Sequence, residues 1–380
     1  MTGNSPRVLI LTHCFPASSS DIPGNFIYDL CVELQKAGAR TEVITQKMDC
    51  EYDEEYLNNC GAVLNYFNWR GGSERFSDLK KFSLPAILGY ISLIRQGRKE
   101  FRRVAKDFKP DILLNCWAVP AGMWSYLQKP RGCVSAVWAL GSDISVYGSK
   151  KIFRSFIKKI LSYQDVLFSN SIHLQKKITD LFNLSSGMLF TSRNMPQTDQ
   201  EYERSSVLKL LFVGRLEKIK GPDILIDAII LSGIKNFNLR IIGDGEMKYE
   251  LISTVRSNGL ENRIEFMGMK DAGEISYHLK ISDYLVISSR KESMPVVFWE
   301  AMQMSTPVIA TDTGDIAYYC DKYNVGRICR AEPGSLAELL QFVSGLRDLR
   351  KILSDNTSKL NKIFSMASSA DTVISLKEKL

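Results

Sequence analysis

The sequence predicts an α/β fold of two doubly wound, nucleotide-binding-type domains, each built on a parallel sheet. Three observations predict it. The chain has 380 residues, more than one ordinary domain holds, so two is the natural division. Both halves alternate short apolar runs with longer amphipathic stretches, the pattern of parallel strands covered by helices on both faces. Between the halves, 193–206 is polar, contains Pro196 and has no apolar periodicity, so it reads as a connection. The expected organisation is a first domain over 1–195, a linker over 196–206, a second domain over 207–362 and a closing helix over 363–380.

Arg7-Val8-Leu9-Ile10-Leu11-Thr12 is a short apolar run with no cleavage-site pattern behind it. It reads as the first buried strand and not as a signal peptide. Further strands are expected at 41–46, 111–115, 133–138, 165–168 and 188–191, with helices at 24–37, 86–107, 149–161 and 171–182. The second half repeats the alternation. Its strands fall at 207–213, 238–242, 264–267, 284–287 and 307–310, and its helices near 222–233, 246–257, 273–281, 296–304 and 336–349. In open sheets of this kind a ligand binds beyond the carboxyl ends of the strands, so the crevice between two such domains is the expected site.

Composition narrows the function classes. The chain is 45% hydrophobic and 24% charged, an ordinary globular mix. No apolar run reaches about 18 residues, so no membrane span is expected. The 8 cysteines are scattered without a C-x-x-C pair, and the 3 histidines are not clustered. This argues against a zinc site or a disulfide framework. Reduced, buried thiols point to the cytosol. The net charge of +7 lies entirely in residues 1–200, where 25 Lys and Arg face 18 Asp and Glu. It peaks over 79–159, with 16 basic and 4 acidic residues. Around 94–103 and 150–161 the cations alternate with apolar residues at helical spacing, which suits the surface of an anionic membrane as well as a solvated helix face. No aromatic stacking pattern accompanies the cations, so nucleic acid is not an expected partner.

The candidate chemistry sits where strands give way to helices. After strand 284–287 comes Ser288-Ser289-Arg290-Lys291-Glu292-Ser293-Met294-Pro295-Val296-Val297-Phe298-Trp299-Glu300. Pro295 suits a helix start, and the free N–H groups of such a start attract phosphate. Glu292 and Glu300 beside it can hold hydroxyls; a helix start with a surface glutamate is the plainer account. After strand 207–213 comes Gly214-Arg215-Leu216-Glu217-Lys218-Ile219-Lys220-Gly221. There Arg215 and Lys220 can neutralise a leaving diphosphate, or simply make a basic surface loop. Gly243-Asp244-Gly245 is a third turn of this type, without the full dinucleotide spacing. In the first half, Gly24 opens a helix where backbone could approach an anion. His13 and Asp143 can line an acceptor side; a structural histidine and a helix-capping aspartate are the alternatives. Neither an Asp-x-Asp metal motif, a nucleophile elbow nor a G-x-x-x-x-G-K-[ST] loop occurs.

In their order, these motifs resemble the retaining glycosyltransferases of the two-Rossmann GT-B type that carry the E-x7-E signature. The likeness runs from about 207 to 345: G-R-L-x-x-x-K-G at 214–221, G-D-G at 243–245, Phe266-Met267-Gly268, E-x7-E at 292–300 and Pro307-Val308-Ile309-Ala310. It is looser at 7–46 and 137–143. The resemblance implies two Rossmann-like domains facing each other across a cleft, an acceptor side in the first and a donor side in the second. It implies a nucleotide-sugar donor (UDP- or GDP-linked), a saccharide or lipid-linked acceptor, and no metal or cofactor. Arg215 and Lys220 would hold the diphosphate, Glu292 the hydroxyls of the transferred sugar and Glu300 the ribose. Gly214 and Gly243 would shape the pocket, and backbone at Met294, Val296 and Val297 would meet the phosphates. Met267 and Met269 would flank the base, and Gly24 would let the first domain close. The sequence departs from the pattern at Leu140, where a histidine is usual, at Ser305, and at Asp315 with Ala317 or Tyr318. The resulting expectation is a cytoplasmic, metal-independent hexosyltransferase of surface polysaccharide assembly, peripheral to the membrane. Its competitors are a catalytically silent partner subunit, suggested by Leu140, and a sugar-nucleotide epimerase, disfavoured by the two spaced glutamates.

Overall fold

A computed structural model describes residues 5–19, 21, 24–71, 84–346 and 349–379. Residues 79–83 of the basic segment, and Pro23 of the turn before Gly24, lie outside the described residues. The chain divides into two compact units, Met1–Thr191 with Ser365–Leu380, and Ser192–Phe364.

Unit 1 runs β1 (Arg7–Leu11), α1 (Asn25–Lys36), β2 (Arg40–Gln46), α2 (Glu54–Asn58), β3 (Ala62–Phe67), α3 (Leu84–Phe108), β4 (Ile112–Cys116), α4 (Ala121–Ser125), β5 (Val134–Ala139), α5 (Lys151–Tyr163), β6 (Val166–Ser169), α6 (Ile172–Phe182) and β7 (Gly187–Met188). The sheet is parallel in the order β3-β2-β1-β4-β5-β6-β7. Leu9, Leu113, Ala136 and Val137 are wholly buried, as strands covered on both faces require.

Unit 2 runs β8 (Leu208–Val213), α7 (Pro222–Ser232), β9 (Phe237–Ile242), α8 (Lys248–Ser257), β10 (Ile264–Gly268), α9 (Ala272–Ile281), β11 (Tyr284–Ile287), α10 (Val296–Gln303), β12 (Val308–Thr311), α11 (Ile316–Tyr323), β13 (Gly326–Cys329), α12 (Pro333–Gly345) and α13 (Leu349–Ile363). Its sheet is also parallel, in the order β10-β9-β8-β11-β12-β13. Each unit is thus doubly wound: successive strands grow outward on one side of the first strand, then on the other.

The last helix, α14 (Met366–Ser375), belongs to unit 1. Met366, Ala370 and Val373 are buried with Ile27, Leu30 and Leu34 of α1. The Ser369 hydroxyl accepts from the Phe190 N–H at 3.0 Å and donates to its carbonyl at 3.2 Å.

Several elements differ from the sequence expectation. The strand expected at 188–191 pairs only over Gly187–Met188, and the chain then leaves the sheet. The helix expected at 149–161 begins at Lys151, because Asp143–Gly148 forms a π-helical turn first. The helix expected at 336–349 starts at Pro333, the favoured first position for proline, and stops at Gly345. Strands β3 and β13 and helices α2, α4, α11 and α13 were not expected.

Candidate functional site

In unit 2 the strand order reverses between β8 and β11, and a crevice opens beyond their carboxyl ends. The residues there include Val213, Lys220, Ile287, Glu292, Pro295 and Val297. Three strand-to-helix turns build it. The first leaves β8 through Gly214 and ends in a 3-10 turn over Lys218–Lys220. The second leaves β9 through Gly243. The third leaves β11 through Ser288 and enters α10 at Pro295.

Glycine is required at two of these turns. Gly221 has φ +65°, and a Cβ there would strike the Ser288 carbonyl oxygen. Gly243 has φ +139°, and a Cβ would strike the carbonyl oxygen of Gly214. Only residues without a side chain let these turns pass so closely.

Lys220 and Glu292, 72 positions apart in sequence, meet in the crevice. The Lys220 ammonium donates to Oε1 of Glu292, and the Ser289 hydroxyl donates to the same oxygen at 3.1 Å. Both charged side chains are largely buried, 25% and 13% exposed, so their attraction is less screened than a surface pair's. Beside them α10 starts at Val296, with Pro295 as its N-cap. Its first-turn N–H groups have no intrahelical partners and carry the positive end of the helix dipole. A fixed cation, a carboxylate and a helix amino end are therefore gathered around one small space, an arrangement that can take a polyhydroxylated anion.

Two loops hold this pair in place. Arg290 donates to both oxygens of Asp223 at 2.7 Å and to the Lys218 carbonyl at 2.6 Å. Its own N–H donates to Ile219 at 2.8 Å. Lys218 also reaches Asp223, at 2.6 Å, and the Ser288 hydroxyl donates to the Gly221 carbonyl at 2.7 Å. Burial works to raise the Asp223 pKa, but the hydrogen bonds from Arg290 and Lys218 outweigh it and bring the carboxyl down to about 2. The planar fork of Arg290 thus ties the loop carrying Lys220 to the loop carrying Glu292.

Glu300 is buried on α10 and faces Arg193 at 3.7 Å. Gln303, one turn further on, donates to the Arg193 carbonyl and accepts from Met195 at 3.1 Å. The sequence reading named neither Arg193 nor the Arg290–Asp223 fork. No local motif marks them, since each partner lies distant along the chain.

The other expected residues take varied places. Arg215 follows Gly214, but its guanidinium is largely exposed and donates to Glu217 at 2.5 Å. The structure therefore brings Lys220 and Glu292 together and turns Arg215 to another partner. Met294 is buried, Val296 and Val297 are half-buried, Met267 is half-buried and Met269 is exposed. Gly24 caps the start of α1 in unit 1. Asp143 is a correction. It is wholly buried, and its oxygens accept from the N–H groups of Ala118, Gly141 and Ile144 at 2.8–3.1 Å. Burial pushes its pKa up despite these bonds. It fastens turns and offers no face to an acceptor. His13 packs edge-on against Trp117 at 4.5 Å, and burial pushes its pKa down to about 3. Among the described residues no group of three or more His, Cys, Asp or Glu could hold a metal ion.

Residues 196–360 match the family described as Glycosyl transferases group 1. An uncharacterised glycosyltransferase of Methanocaldococcus jannaschii is 28% identical over 277 residues, covering 72% of this chain and 77% of that protein. The N-acetyl-alpha-D-glucosaminyl L-malate synthase of Bacillus anthracis is 27% identical over 242 residues, 60% of this chain and 63% of that one. Among solved structures, sucrose-phosphate synthase from Thermosynechococcus elongatus superposes with a TM-score of 0.73 at 16% identity, covering 99% of both chains. The likeness is one of fold: two Rossmann-like domains, the GT-B architecture.

Proposed function

We propose, from the match of residues 196–360 to the glycosyl transferases group 1 family, that the chain is a glycosyltransferase that moves a hexose from a UDP- or GDP-sugar to a saccharide or lipid-linked saccharide in glycan assembly. The observation that carries the reading is the meeting of Lys220 and Glu292 beside the amino end of α10. The ammonium and the helix end neutralise the leaving diphosphate. Glu292 accepts hydrogen bonds from the hydroxyls of the transferred sugar. Glu300, held by Arg193, does the same for the ribose. Met267 and Met269 flank the base, and Arg215 exchanges Glu217 for a phosphate when the donor arrives.

Among the described residues no carboxylate stands out as a nucleophile, so the reading is an internal return with retention. The bond from the anomeric carbon to the phosphate oxygen breaks first. The acceptor hydroxyl then bonds to that carbon from the same face, and its proton passes to the departing phosphate. The name of the Bacillus anthracis relative specifies an α-linked glucosaminyl product, which agrees with retention from an α-linked donor. Stabilising the leaving group is the main work, and the reading needs no divalent metal for it.

The test is binding and turnover in the presence of a chelator. UDP or GDP, or their sugar conjugates, should raise the melting temperature of the wild-type chain. Lys220→Ala should keep the fold and lose about 100–1,000-fold in transfer rate. Near wild-type turnover in Lys220→Ala would reject the assignment. A second reading, a catalytically silent partner subunit, is favoured by Leu140 alone. Donor hydrolysis by the purified chain would remove it.

A further inference from the structure

Unit 1 presents large apolar side chains to solvent where its core does not use them. On α3, Leu84, Ile87, Leu88 and Ile91 are all exposed. Their spacing of three, four and seven places them in one stripe. On α5, Ile152 is 87% exposed, and Phe153 and Phe156 are exposed beside it. The core takes the adjoining part of the same apolar face, through Ile157, Ile160 and Leu161. So the apolar face of α5 is wider than the core uses, and its outer edge is left unpacked. The two patches adjoin: the Tyr90 hydroxyl of α3 lies 3.5 Å from that of Tyr147, and the Tyr147 ring meets Phe153 edge-on.

The same surfaces are cationic. Arg95 and Lys99 are exposed on α3, and Lys150, Lys151, Lys158 and Lys159 on or beside α5. Residues 84–99 and 149–163 contain no Asp or Glu. This combination selects the occupant. A second copy of the chain would set cations against cations. Nucleic acid would satisfy the cations but gain nothing from Leu84, Ile87, Leu88, Ile91 and Ile152, which cannot stack, while Phe153 and Phe156 already meet Tyr147 and Tyr126 edge-on. An anionic bilayer satisfies both, because its acyl boundary takes the apolar side chains and its headgroups take the lysines.

We propose that the amino-terminal half of α3 and the outer side of α5 together seat unit 1 on an anionic lipid surface. Among the described residues no helix is long and apolar enough to cross a membrane, so the contact is interfacial. The surface stands on its own observations; its role in meeting a lipid-linked acceptor rests on the glycosyltransferase reading above.

The experiment is co-sedimentation of the full chain with vesicles, without donor. Phosphatidylcholine vesicles are compared with vesicles that also contain phosphatidylglycerol, at low and high salt. The expected result is binding only to the anionic vesicles, weakened by salt. Replacing Ile152, Phe153 and Phe156 by Ser should lower partitioning about tenfold or more. Replacing Lys150, Lys151, Lys158 and Lys159 by Gln should lower it about fivefold for each cation removed. Circular dichroism and the melting temperature check that the variants fold. Absence of anionic-vesicle binding at low salt overturns the proposal, as does unchanged binding in the serine variant. So does a wild-type dimer that the serine variant dissociates, since the patch would then be an interface between copies. Donor hydrolysis measured without vesicles reads the unit 2 site separately, so failure of one reading leaves the other standing.

Discussion

Burial keeps the His13 ring neutral, with its pKa pushed down to about 3 from an ordinary 6.5. The unfolded chain therefore binds a proton that the folded chain refuses. The stability due to this site is complete above about pH 6.5 and is lost as the pH falls from there toward 3. Melting temperatures measured between pH 7 and 4 should fall less steeply for His13→Gln than for the wild type; parallel slopes would show that the ring does not contribute. The residue scale is also where the sequence was least legible. Glu292 and Lys220 could be singled out because each stands just after a strand, and the fold then placed them together. Asp143 stands after a strand too, yet its carboxylate turns inward to three backbone amides. Which way a turn residue points depends on the neighbouring loop, and spacing in the sequence carries no record of it.

Among the elements, the loops after β8 and β11 matter most, and the fork between Arg290 and Asp223 fixes one to the other. Hydrogen bonds to charged groups of this kind contribute about 1.5–3 kcal/mol. Asp223→Asn and Arg290→Ala should each destabilise unit 2 by about that amount in denaturant titration. They should also lower kcat/KM by loosening Lys220 against Glu292. Arg290→Lys, which keeps the charge but loses the planar fork, should restore stability only in part. Wild-type kinetics in all three would mean that the fork sets nothing at the site. The partners are 67 residues apart, beyond any local pattern. The long helices and central strands were legible because their periodicity is dictated by two-sided burial. Strands β3 and β13 were not, because they lie at sheet edges, where Val63 is exposed and Arg327 interrupts a four-residue run. Helix α13 was obscured by its polar composition, with three lysines and one arginine.

For the molecule as a whole, the discontinuity of unit 1 has the largest energetic effect. Helix α14 and the turn after it bury Met366, Val373 and Leu376, and each large apolar side chain so buried contributes about 1.5–3 kcal/mol. Their sum is comparable with the whole stability of a typical domain, about 5–15 kcal/mol. A chain truncated after Phe364 should therefore lose or greatly lower the calorimetric transition of unit 1 and retain that of unit 2. Two unchanged transitions would show that α14 is an ornament to its fold. The arrangement also orders events at the ribosome. Residues of β1 and α1 emerge before unit 2, yet the part of α1 that packs against α14 stays uncovered until Ser365 and its successors have been translated. Unit 2 can close while that part of α1 still waits, so a chaperone that guards nascent chains has a longer task at unit 1 than at unit 2.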